Sequence, residues 1–427
     1  MKFIRIFAVM KKGILVFVLS IVVQVVSAQV FSARLMTYNV LNYRNSTNEC
    51  NGNTNSASAK EARLDTILSY AQPHIIVFNE VGASANNAQY LLNNVLNSGG
   101  GSSWSTTNYT NNSFSSLTNV IAYRNDLFGV LQQDVITQDL SGTALVRVVD
   151  AVRFYYKDPL LTAQSDTVTF TVIGAHFKAG NGTSNSSVRN LMAKAVIDYI
   201  DNDCPDDNVF LLGDYNMYSS SESAYQSLVA GQTFRFDDPI GSGGNWNNNS
   251  SFASVHTQST RSSSSNSCFS AGGLDDRFDQ ILCSEDVLDG EDGMVYVPNT
   301  YLALGNDGAH FNSSINSGTN FSVSANVLSA LYNLSDHLPV VADFEIDQQS
   351  LETAEWSLPK MPNPLRQPFS FQGYHKEWSL ALYNLHGRLV FEKNAGAEKV
   401  LDGLPKGMYT AVWTKNGRVK PAKLMVW

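Results

Sequence analysis

The sequence predicts a chain of the α+β class: a large domain in which apolar strands alternate with amphipathic helices, then a small all-β module. Three observations predict it. Hydrophobic residues are 43% of the 427 and charged residues 16%, enough to bury a sizeable core. Short β-branched runs such as I-I-V-F-N (75–79) and V-F-L-L-G (209–213) interleave with helical patterns from Arg34 to Glu345. After Ile346 the chain turns polar, then strand-rich, and its net charge changes sign.

The elements follow in order. Residues 1–28 read as a secretory signal peptide: Lys2, Arg5, Lys11 and Lys12 precede an apolar stretch, Gly13 to Val26, that ends in Val26-Ser27-Ala28. Strands are expected at 34–40, 75–79, 120–123, 144–156, 167–176, 209–213, 278–283 and 339–346. Helices are expected at 59–71, 87–96 and 188–200, the last with an apolar face of Leu191, Ala195, Val196 and Tyr199. Residues 97–118 and 241–273, rich in Ser, Asn and Gly, read as long surface loops. A polar linker covers 347–357. From 358 to 427 strands are expected at 378–384, 389–392, 407–414 and 419–426, with turns at Asn384–Gly387 and Lys415–Gly417. That module is a small β-sandwich. The domains are thus 1–28, 29–346 and 358–427.

Charge and cysteine content narrow the function. Residues 29–346 carry a net charge of −17 and residues 347–427 a net of +4. An acidic domain is a poor footprint for holding polyanions by charge alone, but it suits recruitment of metal cations that then meet a phosphate. Cys50, Cys204, Cys268 and Cys283 allow one or two disulfides in an exported protein, and the sequence does not choose among the pairings. With no C-x-x-C, a zinc ribbon or redox motif is not expected. No later segment has eighteen consecutive apolar residues, so no membrane insertion is expected after processing.

Side chains suited to phosphodiester hydrolysis stand at successive strand ends. Such chemistry needs a cation on the phosphate, a deprotonated water and a protonated leaving oxygen. Asn39 closes M-T-Y-N, Glu80 follows I-I-V-F-N, and His176 closes V-I-G-A-H. Asp214 and Asn216 follow F-L-L-G in G-D-Y-N. Asp279 opens D-Q-I-L-C, and Asp336 and His337 precede L-P-V-V in S-D-H. Carboxylates and amide oxygens suit Mg²⁺, Mn²⁺ or Ca²⁺, and histidines suit proton transfer. Each element alone reads as a turn, a cap or a solvated group; six arriving in order, each beside a buried strand, do not. If the backbone is extended, Asp214 and Asn216 point to one side. Arg147 and Lys178 are candidate phosphate contacts, with Arg153 a competitor for the first role.

The order N…E…H…GDxN…D…SDH, over about residues 33–346, resembles the endonuclease/exonuclease/phosphatase superfamily, deoxyribonucleases among them. The resemblance implies a four-layer α/β/β/α sandwich of two mixed sheets. It implies that Asn39 and Glu80 hold the principal metal, Mg²⁺ or Mn²⁺. Asp214 and Asn216 would sit at the scissile phosphate, Asp214 near the attacking water and a second metal. His337 would be general base or phosphate ligand, oriented by Asp279. Asp336 would complete the metal or water shell, and His176 would stabilise the phosphate or protonate the leaving oxygen. Ser116-Leu117-Thr118 lacks the tyrosine of abasic-site endonucleases, which argues against a repair role. The expected function is a secreted phosphodiesterase, a nuclease on DNA or RNA, acting as a monomer. The alternatives are a phosphodiesterase or phosphatase for sphingomyelin, phosphoinositides or other phosphate esters, or a non-catalytic surface protein.

The tail, with M-P-N-P, L-Y-N-L-H-G-R-L-V, L-P-K-G-M-Y and K-L-M-V-W, resembles the C-terminal sorting domain of the Bacteroidetes type IX secretion system. That implies the secretion machinery as a partner and the cell surface or medium as destination.

Overall fold

Period-2 alternation in the strands builds two sheets that share one apolar interface. The structure, a computed structural model, describes residues 30–47, 50–159, 167–231, 234–264, 267–347, 363, 365–371, 378–397, 399–415 and 418–427. The signal-peptide reading, nearly all of the linker, most of M-P-N-P and the Asn416-Gly417 turn lie outside these residues.

The first sheet contains β1 (Phe31–Tyr43), β2 (Ile75–Gly82), β3 (Trp104–Thr106), β4 (Leu117–Arg124), β11 (Met294–Tyr296), β12 (Leu302–Ala303) and β13 (Val340–Ile346). Its order is β11-β13-β1-β2-β4-β3, with β12 also on β13. The second contains β5 (Phe128–Gln138), β6 (Ala144–Tyr156), β7 (Thr169–His176), β8 (Val209–Asp214), β9 (Phe236–Asp237) and β10 (Asp279–Ser284). Its order is β5-β6-β7-β8-β10-β9. Both are mixed: β1–β2 and β7–β8 are parallel, and the remaining pairs are antiparallel. Leu35, Ile75, Val77 and Ile121 of the first sheet pack against Val152, Phe170, Val172, Phe210, Leu212 and Ile281 of the second. Helices α1 (Ala57–Ala71), α2 (Ala85–Leu91) and α6 (Ala325–Leu334) bury their apolar faces on the outside of the first sheet. Helices α3 (Thr183–Asn202) and α4 (Ser223–Val229) do so on the second. A short α5 (Glu285–Asp289) follows β10. The four layers are those the resemblance implied.

The small module pairs β14 (Phe369–Ser370) with β17 (Val400–Leu401). Its four-stranded sheet orders β16 (Leu389–Lys393), β15 (Ser379–Tyr383), β18 (Gly407–Lys415) and β19 (Arg418–Val426). Leu380, Leu382, Tyr409, Trp413 and Val426 form its core. No helix among the described residues is long and apolar enough to cross a membrane.

Several expectations are corrected. Residues 241–273 are not a solvated loop: Trp246, His256, Thr257 and Thr260 are fully buried, and Cys268 is disulfide-bonded to Cys50. Cys204 and Cys283 are free. The 97–118 segment carries β3, and β4 already begins at Leu117. On α3 the buried face is Met192, Ala193, Ala195, Val196 and Ile200, while Leu191 is exposed. Helix α6 and strand β5 lie in stretches with no expected element. β5 is the edge of its sheet, exposes Val130 and Leu131, and is bulged at Val130/Gln132 and at Ile136/Gln138.

One buried carboxyl makes stability depend on pH. Asp150 accepts from Thr110 Oγ1, its Oδ2 has no partner, and burial pushes its pKa up to about 7. The folded state therefore holds this proton more tightly than the unfolded chain, so the stabilisation is complete below about pH 4 and is lost as pH rises to about 7. We expect Asp150→Asn to gain stability relative to wild type across that window, by up to about 4 kcal/mol above it. Urea midpoints measured from pH 4 to 8 check this; a constant difference between the two proteins contradicts it.

Candidate active site

The site lies where the inner-face rows of both sheets run out. On β8, Phe210 and Leu212 face the other sheet, so Asp214 does too; on β10, Ile281 places Asp279 likewise. Register sets them side by side: His176 is opposite Asp214, and Asp279 is opposite Asp214 from the other neighbour. Asn39 and Asn79 are paired on β1 and β2, facing them. Glu80 breaks the alternation. By parity with Ile76 and Phe78 it would face α1, but a bulge and a φ of +61° turn its carboxylate into the rim.

The contacts are close. Asn39 Nδ2 donates to Glu80 Oε1 (3.1 Å) and Asp214 Oδ2 (3.0 Å) and lies 3.4 Å from His337 Nε2. His176 Nε2 is 3.4 Å from Asp214 Oδ2. Asp279 Oδ2 is 2.7 Å from His337 Nδ1. Ligand atoms of Glu80, His176 and Asp214 all lie within 4.8 Å of one another, as do those of Asp214, Asp279 and His337. Asp214 belongs to both groups.

Burial pushes the Asp214 carboxyl up from the usual carboxylate range, although His337 opposes it. Burial also lowers the pKa of His337, but Asp279 and Asp214 outweigh it, and the imidazole ends well above its ordinary value. His176 goes the other way: burial, then Arg147, His337 and Lys178, hold it well below, so it is neutral.

Two supports fix these groups. Asn79 accepts from the Asp214 N–H (3.1 Å) and donates to Ala175 O (3.1 Å) and to Asn119 Oδ1 (2.8 Å). Asn119 in turn donates to Val148 O and Gly174 O. These amides join the two sheets at the site. Gly213, in G-D-Y-N, is required because a Cβ there would lie 1.8 Å from Ala175 O.

The structure brings Asn39, Glu80, His176, Asp214, Asp279 and His337 together. Asn216 lies against them, but not by strand alternation: its φ is +52°, and its N–H donates to Asp214 Oδ1. Asp336 stands outside both groups, its Oδ2 accepting from the Ser270 N–H. Arg147 acts on Glu80 and Asp214 electrostatically and donates to Phe177 O, whereas Arg153 is paired with Asp206. Lys178 donates to Ala179 O and its charge is felt at His176. Sequence reading missed Gln258, whose side-chain amide lies 2.6 Å from His337 Nε2, and the Asn79–Asn119 pair. No sequence signal marks Gln258; N-E after a buried strand marks Asn79.

The donors fit a hard divalent cation. Two carboxylates converge, and an amide nitrogen already takes the place where positive charge is favoured. Asn39 faces them with nitrogen and accepts from Leu41 N–H with oxygen, so its amide must turn over to act as a ligand. Buried His176 Nδ1 and Asp279 Oδ1 have no partner.

No family model and no curated protein matches the chain. Solved structures similar to it include the human Nocturnin catalytic domain, at 13% identity and TM-score 0.47, over 74% of this chain and 94% of that one. An endonuclease/exonuclease/phosphatase family protein from Bacteroides thetaiotaomicron is similar at 14% identity and TM-score 0.45, over 75% and 99%. A third is D. rerio TDP2 with single-strand DNA product, at 13% identity and TM-score 0.46, over 73% and 98%.

We expect Gly213→Ala to lower stability by more than about 4 kcal/mol, since main chain must move. Thermal or urea unfolding reads this; a wild-type midpoint contradicts the steric argument.

Proposed function

We propose that this chain is a divalent-metal-dependent phosphodiesterase of the endonuclease/exonuclease/phosphatase type, an extracellular nuclease on DNA or RNA. The observation that carries the reading is the sharing of Asp214 between a carboxylate–imidazole group suited to a cation and an Asp279–His337 dyad suited to a phosphate. Glu80, Asp214 and, with its amide turned, Asn39 would hold Mg²⁺ or Mn²⁺. That ion, when bound, neutralises the phosphate and polarises it toward attack.

The chain's own groups do the rest. Asp279 fixes the ring of His337, and the dyad with Asp214 favours the imidazolium, which suits a phosphate oxygen. Asp214, between the cation site and the His337 ring, is placed to orient an attacking water. Neutral His176 can donate a hydrogen bond to the phosphate or leaving oxygen. Arg147 and Lys178 supply further positive charge at this rim, and Asn216 braces Asp214. Asp336 acts from outside, through the Ser270 loop.

A second reading, a phosphatase or phosphodiesterase for smaller esters or lipid headgroups, has one observation behind it. Nearby arginines are consumed internally: Arg44 on Glu61, Arg189 on Glu222, and Arg261 on Tyr332 O and the Phe269 ring. Arg147 and Lys178 then suit a single phosphate. A non-catalytic scaffold is the weakest reading, because unpartnered buried polar atoms at the rim cost stability and serve no packing role.

The proposal includes export by residues 1–28 and sorting by 358–427, supported by the segment compositions and the Cys50–Cys268 disulfide.

The test is parallel assay of the purified chain with Mn²⁺ or Mg²⁺ on plasmid DNA, RNA, sphingomyelin and bis-p-nitrophenyl phosphate. We expect cleavage of nucleic acid, abolished by EDTA. Turnover of lipid without nucleic acid moves the assignment to the second reading; no turnover of any of them removes it. Asp214→Ala and His337→Ala should each lose about 10²–10⁴-fold in rate with an unchanged circular dichroism spectrum. An undiminished rate in either contradicts its role.

A further inference from the structure

Lys60 lies on the buried face of α1 and is 2% exposed. A buried ammonium normally sits against a carboxylate. This one instead donates to three main-chain carbonyls: Val40 O (2.7 Å), Leu41 O (2.9 Å) and Leu334 O (2.5 Å). Its three donors are matched by three acceptors.

Two of those carbonyls belong to peptides whose other ends touch the site. The Val40–Leu41 peptide accepts from Lys60 and, through the Leu41 N–H, donates to Asn39 Oδ1 (3.0 Å). The Leu41–Asn42 peptide accepts from Lys60 and, through the Asn42 N–H, donates to Glu80 Oε2 (3.0 Å). Leu41 and Asn42 have φ of +46° and +48°, so this segment needs outside contacts to hold its shape. Asn55 Nδ2 supplies more of them, at Leu41 O (3.2 Å) and Asn42 O (2.8 Å). The third carbonyl ends α6, next to Ser335, whose hydroxyl donates to Asn39 O and accepts from the His337 N–H. Burial pulls the Lys60 pKa down to about 7, while the three accepting carbonyls favour the ammonium form; a donor on the C=O of a peptide makes the N–H at its other end a stronger donor.

We infer that Lys60 is a positioning residue of the catalytic centre: its ammonium, acting through the Leu41–Asn42 peptide, sets Glu80 for a divalent cation and ties that segment to the one bearing His337. The inference rests on the reading that Glu80 holds that cation.

The experiment is calorimetric titration of the full chain with Mn²⁺ alone, at a temperature where circular dichroism shows each variant folded. Lys60→Met should bind Mn²⁺ about 10–100-fold more weakly, the range typical of losing a group that orients a ligand. Asn55→Ala, a milder cut on the Leu41–Asn42 peptide, should weaken binding several-fold and serves if Lys60→Met does not fold. Leu64→Ala, a fully buried site on the same helix, should lower the melting temperature and leave the Mn²⁺ constant alone. A wild-type Mn²⁺ constant in folded Lys60→Met, or in Asn55→Ala where the first does not fold, overturns the inference, as does an equal loss in Leu64→Ala. Failure of the wild-type chain itself to bind Mn²⁺ overturns instead the reading of the site on which it rests.

Discussion

The amides of Asn79 and Asn119 are the interaction on which the rest depends. Two sheets packed by apolar side chains hold each other only loosely in register, because dispersion contacts are not directional. Hydrogen bonds are. Asn79 reaches from β2 to the Asp214 N–H and to Ala175 O, and Asn119 from β4 to Val148 O and Gly174 O. Each is buried, so a lost partner would leave an unsatisfied polar group costing about 1–3 kcal/mol. The strands bearing Glu80 and Asp214 are thereby fixed relative to one another. Without that registration the carboxylates would still exist but would not converge.

The site is a row of strand ends plus two departures from regularity. Register alone explains His176, Asp214 and Asp279, which stand abreast on adjacent strands. Glu80 and the segment after Asn39 need left-handed residues and bulges. Such conformations cost free energy, and neighbours that hold them are found here: Asn55, Lys60 and Ser335 all bind the main chain after or at Asn39.

Much of this was legible in the sequence, and what was not has identifiable causes. Polar residues directly after β-branched runs gave the site, because a buried strand leaves few reasons for a carboxylate at its end. The strands of the core were legible because their period is simple. β5 was not, because bulges interrupt its alternation and Gln132, Gln133 and Asp134 dilute its apolar content. Residues 241–273 look solvated by composition, yet Trp246 and His256 are fully buried and Gln258 reaches His337. A lysine on a helix reads as solvated; only the fold shows that Lys60 meets carbonyls. Asn216 keeps its place beside Asp214, although extended geometry, the reason for expecting it there, does not hold.

The bulged edge strand β5 bears on how copies of the chain meet one another. A long, straight, unpaired edge offers main-chain groups to any second chain and so seeds ordered aggregates. Here the ladder is broken at Val130/Gln132 and again at Ile136/Gln138, and Asp134 sits between the breaks. A docking strand would find only short stretches in register, with a carboxylate between them. The breaks and the carboxylate disfavour addition of a strand at this edge despite its exposed Val130 and Leu131.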